Sequence, residues 1–442
     1  MSEAGPRPPL PWAEIIAVGS ELLVPPRLDT NSLFITDRLN ECGIEVRAKA
    51  VVGDRRGDLE AMLRAALSRT GLVVLCGGLG PTDDDLTREA VAAVTGRALR
   101  EDARILEGIR QRFAARGARM PEINRRQAMV PEGAEAIPNG FGTAPGLWLE
   151  HAGRVLLLLP GPPSELKPMV ERVAAERLAA LAGGARVRRR VLRICGRTES
   201  EVDELAAPVY SRWLVGPLPI ATTVLTSPAQ VELHLSVRTA DVEEAEVRLD
   251  AAAAELAALF GDDLFSRDGR ALEEVVGQLL RDRGFRIGVA ESCTGGLVSG
   301  RLTDVAGSSD YVGFNAVCYS NEAKTSVLGV PAALIGERGA VSEPVALAMA
   351  DGIRKRAACD VGVGVTGIAG PTGGSDEKPV GTVVIAVTTA DASIVRTYRF
   401  PAGRARVRQF AAQIALDLAR RILLGVEPGR AFVYTPPAVA GP

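Results

Sequence analysis

Residues 285–296 read Phe-Arg-Ile-Gly-Val-Ala-Glu-Ser-Cys-Thr-Gly-Gly, and they decide the fold expected for the C-terminal part of the chain. The apolar run up to Ala290 predicts a buried strand, and residues 294–296 predict a turn into a helix that continues toward Leu302. A strand, a glycine-rich turn and a helix in this order are typical of α/β folds, in which ligands bind at the carboxyl ends of strands. The sequence therefore predicts an α/β domain with Ser292 at the junction of strand and helix.

The same order of elements recurs in the N-terminal half. The apolar run 72–76 leads directly into residues 77–87, which read Gly-Gly-Leu-Gly-Pro-Thr-Asp-Asp-Asp-Leu-Thr. From Trp12 onward, strand-like and helix-like segments alternate, which predicts a parallel sheet. Residues 182–185, Ala-Gly-Gly-Ala, are typical of a linker. The segment beyond them predicts a smaller α/β unit for which we expect a spacer or dimerisation role.

Composition limits the classes of protein to consider. The chain has 442 residues, more than one hydrophobic core usually supports, so we expect two or three domains. A formal net charge of -2 without a basic block argues against general nucleic-acid binding. No apolar run approaches the roughly 18 residues of a membrane span. The six cysteines are scattered without a Cys-x-x-Cys pair, as is typical of a reducing compartment, and we expect a cytoplasmic protein.

Ser292 is the candidate nucleophile of the C-terminal domain. Its position exposes a hydroxyl beside backbone N–H groups that could form an oxyanion hole, to which Thr294, Gly295 and Gly296 would contribute. The same pattern is equally typical of a helix N-cap. Cys293 is a rival nucleophile because thiols are intrinsically better nucleophiles, but only one of two adjacent side chains can face a pocket.

A serine nucleophile needs a base, and histidine is scarce. The chain has only His151 and His234, so a Ser-His-Asp triad is not expected. Only five of its 52 basic residues are lysines, which makes Lys324 a candidate base or pKa modulator. Tyr319 precedes it at the end of the same predicted strand. Two schemes are open: a cationic Lys324 favours a Tyr319 phenolate that takes the serine proton, or a desolvated neutral Lys324 takes that proton directly. We expect the serine, tyrosine and lysine side chains to converge within hydrogen-bond reach.

A second glycine-rich segment, residues 365–375, follows another apolar run. The Thr366 hydroxyl and the N–H groups around Gly373 could hold an amide or a phosphate, and a flexible connector is the alternative. Arg404 and Arg406, near the start of the final predicted helix, are natural phosphate ligands. A solvent-facing helix surface is the competing interpretation for these arginines.

Residues 77–87 combine features of a phosphate site and a metal site. A glycine-rich turn lets backbone N–H groups approach a phosphate, and the following helix adds its positive dipole end. Three successive aspartates, residues 83–85, would repel that phosphate unless a divalent cation lay between them. The alternative is that the aspartates only cap the helix, which accounts for one of the three.

From about residue 271 to 426 the chain resembles the C-terminal domain of the CinA family, which also occurs alone as a nicotinamide-nucleotide amidase. The resemblance covers residues 290–296, 307–309, 319–324, 339–342 and 367–374. It implies hydrolysis of nicotinamide mononucleotide to nicotinate mononucleotide and ammonia without a metal. It also implies that Ser292 is the nucleophile, that Tyr319 and Lys324 activate it, and that Thr366 and Arg406 assist.

The N-terminal half resembles the molybdopterin-binding-type domain of the same family. The resemblance covers residues 19–23, 29–32, 77–87, 124–128, 142–146 and 159–166. It implies a three-layer fold and hydrolysis of ADP-ribose with a divalent metal, with Asp85 and Asp54 near the phosphate and metal. Residues 24–27, Val-Pro-Pro-Arg, stand where the family usually has a glycine-containing loop, and two prolines stiffen that loop and remove N–H donors.

These interpretations define a set of predictions. The predicted fold is α/β, with a three-layer N-terminal domain, a small α/β middle domain and a three-layer C-terminal domain. The predicted segments are a disordered leader (1–11), the N-terminal domain (12–182), the small domain (186–264), the amidase domain (268–427) and a tail (428–442). The predicted catalytic residues are Ser292, Tyr319, Lys324, Thr366 and Asp85. The predicted substrate-binding residues are Thr294, Gly295, Gly296, Gly373, Arg404, Arg406, Gly78, Gly80 and Asn31. The predicted metal ligands are Glu21, Asp54, Asp83, Asp84 and Asp85. The resemblance further implies a homodimer, and the alternative function is a regulatory or scaffolding protein whose N-terminal pocket only binds nucleotide.

Overall fold

A computed structural model describes residues 12–429 and 432–433 of the chain. The predicted leader lies outside the described residues, and so does most of the predicted tail. The chain divides into two compact units. The first comprises the described residues up to Arg188 together with Arg238–Glu246, and the second comprises Arg189–Val237 and the described residues from Val247 onward.

Within the described residues, strands and helices alternate from Trp12 to Ala114 as the sequence predicts, but further along the chain three runs of successive strands have no α-helix between them. In chain order the strands are β1 Trp12–Val18, β2 Glu45–Val52, β3 Leu72–Cys76, β4 Leu99–Glu101, β5 Met129–Pro131, β6 Glu135–Ile137, β7 Gly146–His151, β8 Arg154–Leu159, β9 Arg186–Cys195, β10 Ala221–Ser227, β11 Gln230–Thr239, β12 Leu264–Ser266, β13 Ile287–Glu291, β14 Val312–Val317, β15 Val361–Gly367, β16 Thr382–Thr388 and β17 Ser393–Arg399. The helices are α1 Asn31–Glu41, α2 Arg56–Arg69, α3 Thr87–Thr95, α4 Ala103–Ala114, α5 Pro163–Val173, α6 Ala179–Leu181, α7 Glu199–Tyr210, α8 Val242–Phe260, α9 Leu272–Arg283, α10 Leu297–Asp304, α11 Asn321–Leu328, α12 Ala332–Arg338, α13 Glu343–Arg356 and α14 Arg404–Leu424.

The first unit is built on a six-stranded sheet with the order β2-β1-β3-β8-β7-β6. Strands β1, β2, β3 and β8 are parallel, as the sequence predicts. The prediction of a parallel sheet is wrong for β7 and β6, which run antiparallel to their neighbours. Only Ala152 and Gly153, both with positive φ, connect β7 to β8. A connection of two residues can join only antiparallel strands.

Alternate residues of the central strands fill two separate cores. On one face of the sheet, residues such as Ile15 and Val74 pack with α1 and α5. On the other face, Ile16 and Val73 pack with α2 and α3. Successive side chains of a strand point to opposite faces, so a strand covered on both sides is apolar throughout. The first unit therefore has the three-layer α/β architecture that was predicted.

The second unit contains a five-stranded sheet with the order β14-β13-β15-β16-β17. Strand β13 lies between β14 and β15, parallel to both, while β16 and β17 are antiparallel additions. Ile287 and Val289 of β13 face a core shared with α9 and α14. Ala290 faces the opposite core, which contains Met349 and Ile353 of α13. Helices again cover both faces, and β13 delivers the residues after Glu291 to an edge of the sheet.

The segment predicted as a small domain has a sheet of its own. Its strands have the order β10-β11-β9-β12, and residues 186–264 are divided between the two compact units. No helix in the described residues is long and apolar enough to cross a membrane.

Candidate active site

The turn after β13 holds the candidate nucleophile at the carboxyl ends of the parallel strands β13, β14 and β15. Ser292 is 7% exposed, and its N–H donates to the Val365 carbonyl of β15 at 2.9 Å. Gly295 and Gly296 have φ of 60° and 94°, a left-handed conformation that glycine adopts without strain. The Gly295 N–H donates back to the Ser292 carbonyl at 3.1 Å. These bonds close a compact turn between β13 and α10.

Glu291 fixes this turn from inside the protein. The residue is fully buried, and one carboxylate oxygen accepts from the N–H groups of Gly296 at 2.9 Å and Val298 at 3.2 Å. The other oxygen accepts from the Ser299 N–H at 2.9 Å and hydroxyl at 2.5 Å. The carboxylate thus satisfies the free N–H groups at the start of α10, as a charged cap does.

The contacts of Glu291 change which N–H groups could form the predicted oxyanion hole. Because Gly295 and Gly296 already donate within the turn, their N–H groups are not free for a substrate oxygen. Among the described residues, the amides of Cys293 and Thr294 are the two in this turn that have no oxygen acceptor. Of the three predicted contributors only Thr294 keeps a free amide, and the amide of Cys293 is the second candidate oxyanion donor.

Lys324 lies beside the nucleophile. Its Nζ is 3.3 Å from Ser292 Oγ, 3.0 Å from the Cys318 carbonyl and 3.1 Å from the Tyr319 carbonyl. The residue belongs to the buried face of α11 and is 1% exposed. Burial lowers the pKa of Lys324 from its ordinary value because an ammonium loses hydration there.

The geometry around Lys324 suits a neutral amine. A neutral amine has two N–H groups and one lone pair. Three carbonyls lie within reach of Nζ, and the third, that of Ser320, is the most distant at 3.5 Å. The two nearer carbonyls, of Cys318 and Tyr319, can accept the two N–H groups, which leaves the lone pair for the Ser292 hydroxyl. A neutral Lys324 in this arrangement could accept the proton of the Ser292 hydroxyl.

Tyr319 departs from the predicted geometry. The Ser292 and Lys324 side chains meet, but the Tyr319 hydroxyl instead accepts a hydrogen bond from Arg404 at 3.2 Å. The residue is 61% exposed, whereas its neighbour Cys318 is buried. Adjacent residues in extended backbone point to opposite sides, so a buried Cys318 directs Tyr319 outward. The predicted convergence of three side chains therefore holds only for the serine and the lysine.

Thr366 is a register neighbour of the nucleophile but has its own partner. Glu291 pairs with Val365 across the sheet, so Ser292 and Thr366 follow side by side. The buried Thr366 hydroxyl donates to the Ala340 carbonyl at 2.9 Å. The Thr294 hydroxyl is buried and has no hydrogen-bond partner among the residues that the structure describes, and Gly373 lies in an exposed loop. The hydrogen bond of the Thr366 hydroxyl is thus made to the Ala340 carbonyl and not to Ser292.

Three arginines at the start of α14 have different environments. Arg404 donates to the Gly370 carbonyl at 2.9 Å in addition to Tyr319. Arg406 lies over the Phe410 ring, 5.8 Å from its centroid. Arg408 donates to the Thr294 carbonyl at 2.8 and 3.2 Å, and so supports the nucleophile turn from α14.

Cys293 does not face the site. Its side chain belongs to the core formed with α9 and α14, opposite to Ser292. Burial raises the pKa of the Cys293 thiol to about 12, which disfavours the nucleophilic thiolate. The turn after β13 thus places the two rival nucleophiles in different surroundings, with Ser292 beside Lys324 and Cys293 in the core.

The first unit has a cleft of about 350 Å³ at the carboxyl ends of its parallel strands. The glycine-rich turn, Glu21, Asp54, Asp84 and Asp85 line it. Gly78 and Gly80 leave no room for a side chain, because Thr87 and the Asp85 carboxylate occupy the space that a Cβ would need. Asn31 lines a neighbouring cleft, and its side-chain amide donates to the Gly161 carbonyl at 2.7 Å.

Of the five carboxylates predicted to bind metal, four line this cleft and Asp83 does not. Asp85 accepts from the Gly80 N–H and from the N–H and hydroxyl of Thr82, at 2.5–2.9 Å. Asp83 is fully exposed and pairs with Arg126 at 2.7 Å. Asp54 accepts from the Ser20 N–H at 2.7 Å. In the described part of the chain, no three His, Cys, Asp or Glu side chains are grouped so that they could hold a metal ion. These residues therefore do not fit the divalent metal that the resemblance implies.

Comparison with known proteins decides the family. A CinA-like protein from Koribacter versatilis is 46% identical over 416 residues, which cover 93% of this chain and all of the relative. A putative competence-damage inducible protein from Symbiobacterium thermophilum is 46% identical over 426 residues, which cover 93% of this chain and 99% of the relative. The chain belongs to the CinA family. The family model "CinA C-terminal domain" matches residues 269–423, and the model "Probable molybdopterin binding domain" matches residues 14–180. Among solved structures, a competence/damage inducible protein from Agrobacterium tumefaciens is 40% identical, covers 35% of this chain and 95% of its own, and has a TM-score of 0.33.

Sequence reasoning missed several residues of the two sites in this CinA-family chain. Glu291 is one, although an acidic residue between a buried strand and a glycine-rich turn is a signal of a helix cap. Arg408 could not be assigned, because its contact with Thr294 spans 114 residues. In the first unit, the buried Arg88 donates to the carbonyls of Leu79 and Gly80 at 2.7 and 2.8 Å and holds the glycine-rich turn.

Proposed function

We propose that the C-terminal domain hydrolyses the carboxamide of nicotinamide mononucleotide to the carboxylate and ammonia. The observation that supports this proposal is the contact of Lys324 Nζ with Ser292 Oγ at 3.3 Å, in a setting that accepts two amine protons elsewhere. The substrate itself follows from the resemblance to nicotinamide-nucleotide amidases.

The geometry supports a sequence of proton transfers between two side chains. Ser292 Oγ attacks the carboxamide carbon as its proton passes to Lys324 Nζ. The amides of Cys293 and Thr294 stabilise the negative oxygen that forms. Lys324 then returns the proton to the departing nitrogen, which leaves as ammonia, and an ester remains on Ser292. Water attacks this ester as Lys324 takes one of its protons, Lys324 passes that proton to Ser292 Oγ as the ester bond breaks, and the carboxylate product leaves.

The test is ammonia release from nicotinamide mononucleotide by purified protein. Ser292→Ala is expected to abolish release. The matched control is Ser393→Ala, because Ser393 is exposed at the start of β17. Undiminished release by Ser292→Ala would remove this serine from the mechanism, and a wild-type protein that releases no ammonia would overturn the proposed substrate.

A second candidate function concerns the cleft of the first unit. We propose that it binds ADP-ribose or a related phosphate compound, on the basis of its volume of about 350 Å³ and its glycine-rich wall. Hydrolysis of ADP-ribose with a divalent metal is the activity that the resemblance implies. Because the carboxylates do not fit a metal ion, we derive no step that uses one.

Binding and hydrolysis in this cleft can be separated by measurement. ADP-ribose cleavage is measured with several divalent cations, and binding is measured by calorimetry without them. Asp84→Asn is expected to reduce cleavage, and Asp391→Asn, in an exposed turn, is the control. Binding without cleavage would support the regulatory alternative, and absence of both would overturn the proposal. The implied homodimer is tested by light scattering, and the expected cytoplasmic location by fractionation.

A further inference from the structure

A cavity of about 290 Å³ lies in the second unit, where the small sheet meets three helices. Its wall includes the end of β9, the turn between β10 and β11, the start of α9, and residues of α10 and α14. No described residue of the nucleophile turn, 291–296, or of the segment 318–324 lines it. The cavity is therefore separate from the candidate nucleophile and its base.

Two arginines bring guanidinium donors to this cavity from different elements. Arg193 Nε lies 3.4 Å from the Glu232 carboxylate without a hydrogen bond to it, and in the described part of the chain its two Nη groups have no acceptor. Arg301 donates to Glu273 at 2.6 Å through one Nη group, and its Nε and other Nη group have no acceptor among the described residues. Guanidinium N–H groups make charge-assisted hydrogen bonds to phosphate or carboxylate oxygens. The cavity thus has the donors that an anion requires.

Neutral polar groups form another part of the wall. Gln413 of α14 is 4% exposed, and its amide donates to Gln230 Oε1 at 2.9 Å. The carbonyl oxygen of Gln413 accepts no hydrogen bond from a described residue, and Gln409, one turn earlier in α14, also lines the cavity. Ser227, at the end of β10, adds a hydroxyl side chain. Amides and hydroxyls both donate and accept hydrogen bonds, so they suit the hydroxyl groups of a ligand.

Glu273 limits the positive charge of the cavity. Among the described residues that line the cavity, Glu273 alone carries a carboxylate, and it pairs with Arg301. Glu232, which pairs with Arg193, does not line the cavity. The two arginines outnumber the single lining carboxylate, so the wall has a net positive charge. An anion is therefore attracted to the wall, and Glu273 weakens that attraction.

We propose that this cavity binds a small phosphate ester of a polyol. The phosphate accepts hydrogen bonds from Arg193 and Arg301, because its three terminal oxygens can serve two guanidinium groups at once. The hydroxyl groups of the ligand bind Gln413 and Ser227. The volume of about 290 Å³ is close to the lower end of the range for ligand pockets, ~300–1,000 Å³, which limits the ligand to a small molecule. This inference does not depend on either proposed function.

The test measures binding to the full chain by calorimetry with three probes: glycerol 3-phosphate, inorganic phosphate and glycerol. We expect glycerol 3-phosphate to bind most tightly, phosphate more weakly, and glycerol not at all at the same concentrations. Arg193→Ala and Arg301→Ala should each weaken the binding of glycerol 3-phosphate on the order of 10- to 100-fold, because charge-assisted hydrogen bonds are lost. Arg283→Ala, at the exposed C-terminal end of α9, is the matched control and should bind as the wild type does.

A second variant is expected to change the affinity in the opposite direction. Glu273→Gln removes the negative charge and keeps an oxygen that can accept from Arg301, so binding of glycerol 3-phosphate should become about 2- to 5-fold tighter. A folding defect lowers affinity, so it cannot produce this gain. Thermal unfolding of each arginine variant identifies a defect of that kind.

Three results would overturn the inference. Equal binding of glycerol 3-phosphate by the wild type and both arginine variants would place the anion elsewhere in the chain. Inorganic phosphate that binds as tightly as glycerol 3-phosphate would refute the polyol ester as the ligand class. Absence of binding by both phosphate compounds would refute the site. Each readout is a binding constant, so a protein that releases no ammonia leaves this test unaffected.

Discussion

Replacement of Lys324 by arginine distinguishes a role of Lys324 as a neutral base from a role as a cation. Burial lowers the pKa of Lys324, so the neutral amine becomes available below pH 10.5, whereas a guanidinium keeps its proton at any pH used for proteins. If the neutral amine takes the Ser292 proton, Lys324→Arg should lose the contribution of a general base, ~10²–10⁴-fold in kcat. That loss corresponds to about 2.7–5.4 kcal/mol of transition-state stabilisation. If Lys324 acted only as a cation that favours a Tyr319 phenolate, arginine could replace it and much of the kcat would remain.

The assay is ammonia release as a function of pH. The wild-type kcat is expected to rise with pH until the lowered pKa of Lys324 is passed, and Lys324→Arg should be slow and lack this rise. Lys355→Met, at the exposed end of α13, controls for the loss of a lysine. Lys324→Arg protein that keeps more than about a tenth of the wild-type kcat would refute the neutral-base scheme, because the general-base contribution is at least about 10².

The lowered pKa of Lys324 also makes the unfolding free energy depend on pH. The folded pKa of Lys324 lies below its unfolded value, so between the two values the unfolded chain binds the extra proton. Wild-type stability should therefore increase with pH across that window. Lys324→Met removes the titrating group, and its unfolding free energy should lack this increase. In the methionine variant the Cys318 and Tyr319 carbonyls lose their donors, which costs about 1 kcal/mol each.

Three further predictions concern the scaffold of the site. Gly364→Ala should lower the unfolding free energy by about 1–3 kcal/mol, because its Cβ would overlap the Ala346 carbonyl. Gly300→Ala in α10 is the matched control: its Cβ meets no atom, so the variant should raise the unfolding free energy by about 0.5–1 kcal/mol. Chemical denaturation measures both. Cys293→Ala should keep kcat within about threefold, because burial raises the pKa of that thiol to about 12, and a large loss would return the cysteine to the mechanism. Glu291→Ala should lower both the melting temperature and kcat, since buried N–H groups lose their acceptor at about 1–3 kcal/mol each, while Glu291→Gln, which keeps a carbonyl oxygen, should recover part of both.

The layers of the fold follow from local patterns in the sequence. Apolar strands such as 72–76 and 287–291 are covered on both faces, and the helices between them alternate as the sequence indicates. Local patterns fail where a short connection reverses a strand. Residues 152–153 form a tight turn of alanine and glycine. Ala152 adopts a positive φ, which an alanine in the sequence does not predict.

The N-terminal cleft shows a different limit of sequence reasoning. Three consecutive aspartates predict a metal site only if their carboxylates are free, and hydrogen bonding within the loop depends on backbone geometry. Asp85 turns back to the N–H groups of Gly80 and Thr82, and Asp83 pairs with Arg126, 43 residues away. A capping aspartate and a metal-binding aspartate have the same sequence signature. Only the hydrogen bonds and ion pairs seen in the structure distinguish a capping aspartate from a metal-binding one.

The roles of Tyr319 and Lys324 illustrate how periodicity could have decided between two residues that are close in sequence. Both follow β14, and proximity alone assigns them to one catalytic group. Lys324 and Leu328 are four residues apart in α11, so they share a helix face, and both are buried. Tyr319 precedes the helix and alternates with the buried Cys318, so it points to the opposite side. An apolar Leu328 thus predicts a desolvated lysine. A desolvated lysine next to Ser292 is one whose proton can be removed, and this property, rather than the presence of a tyrosine, is what the proposed serine nucleophile requires without a histidine base.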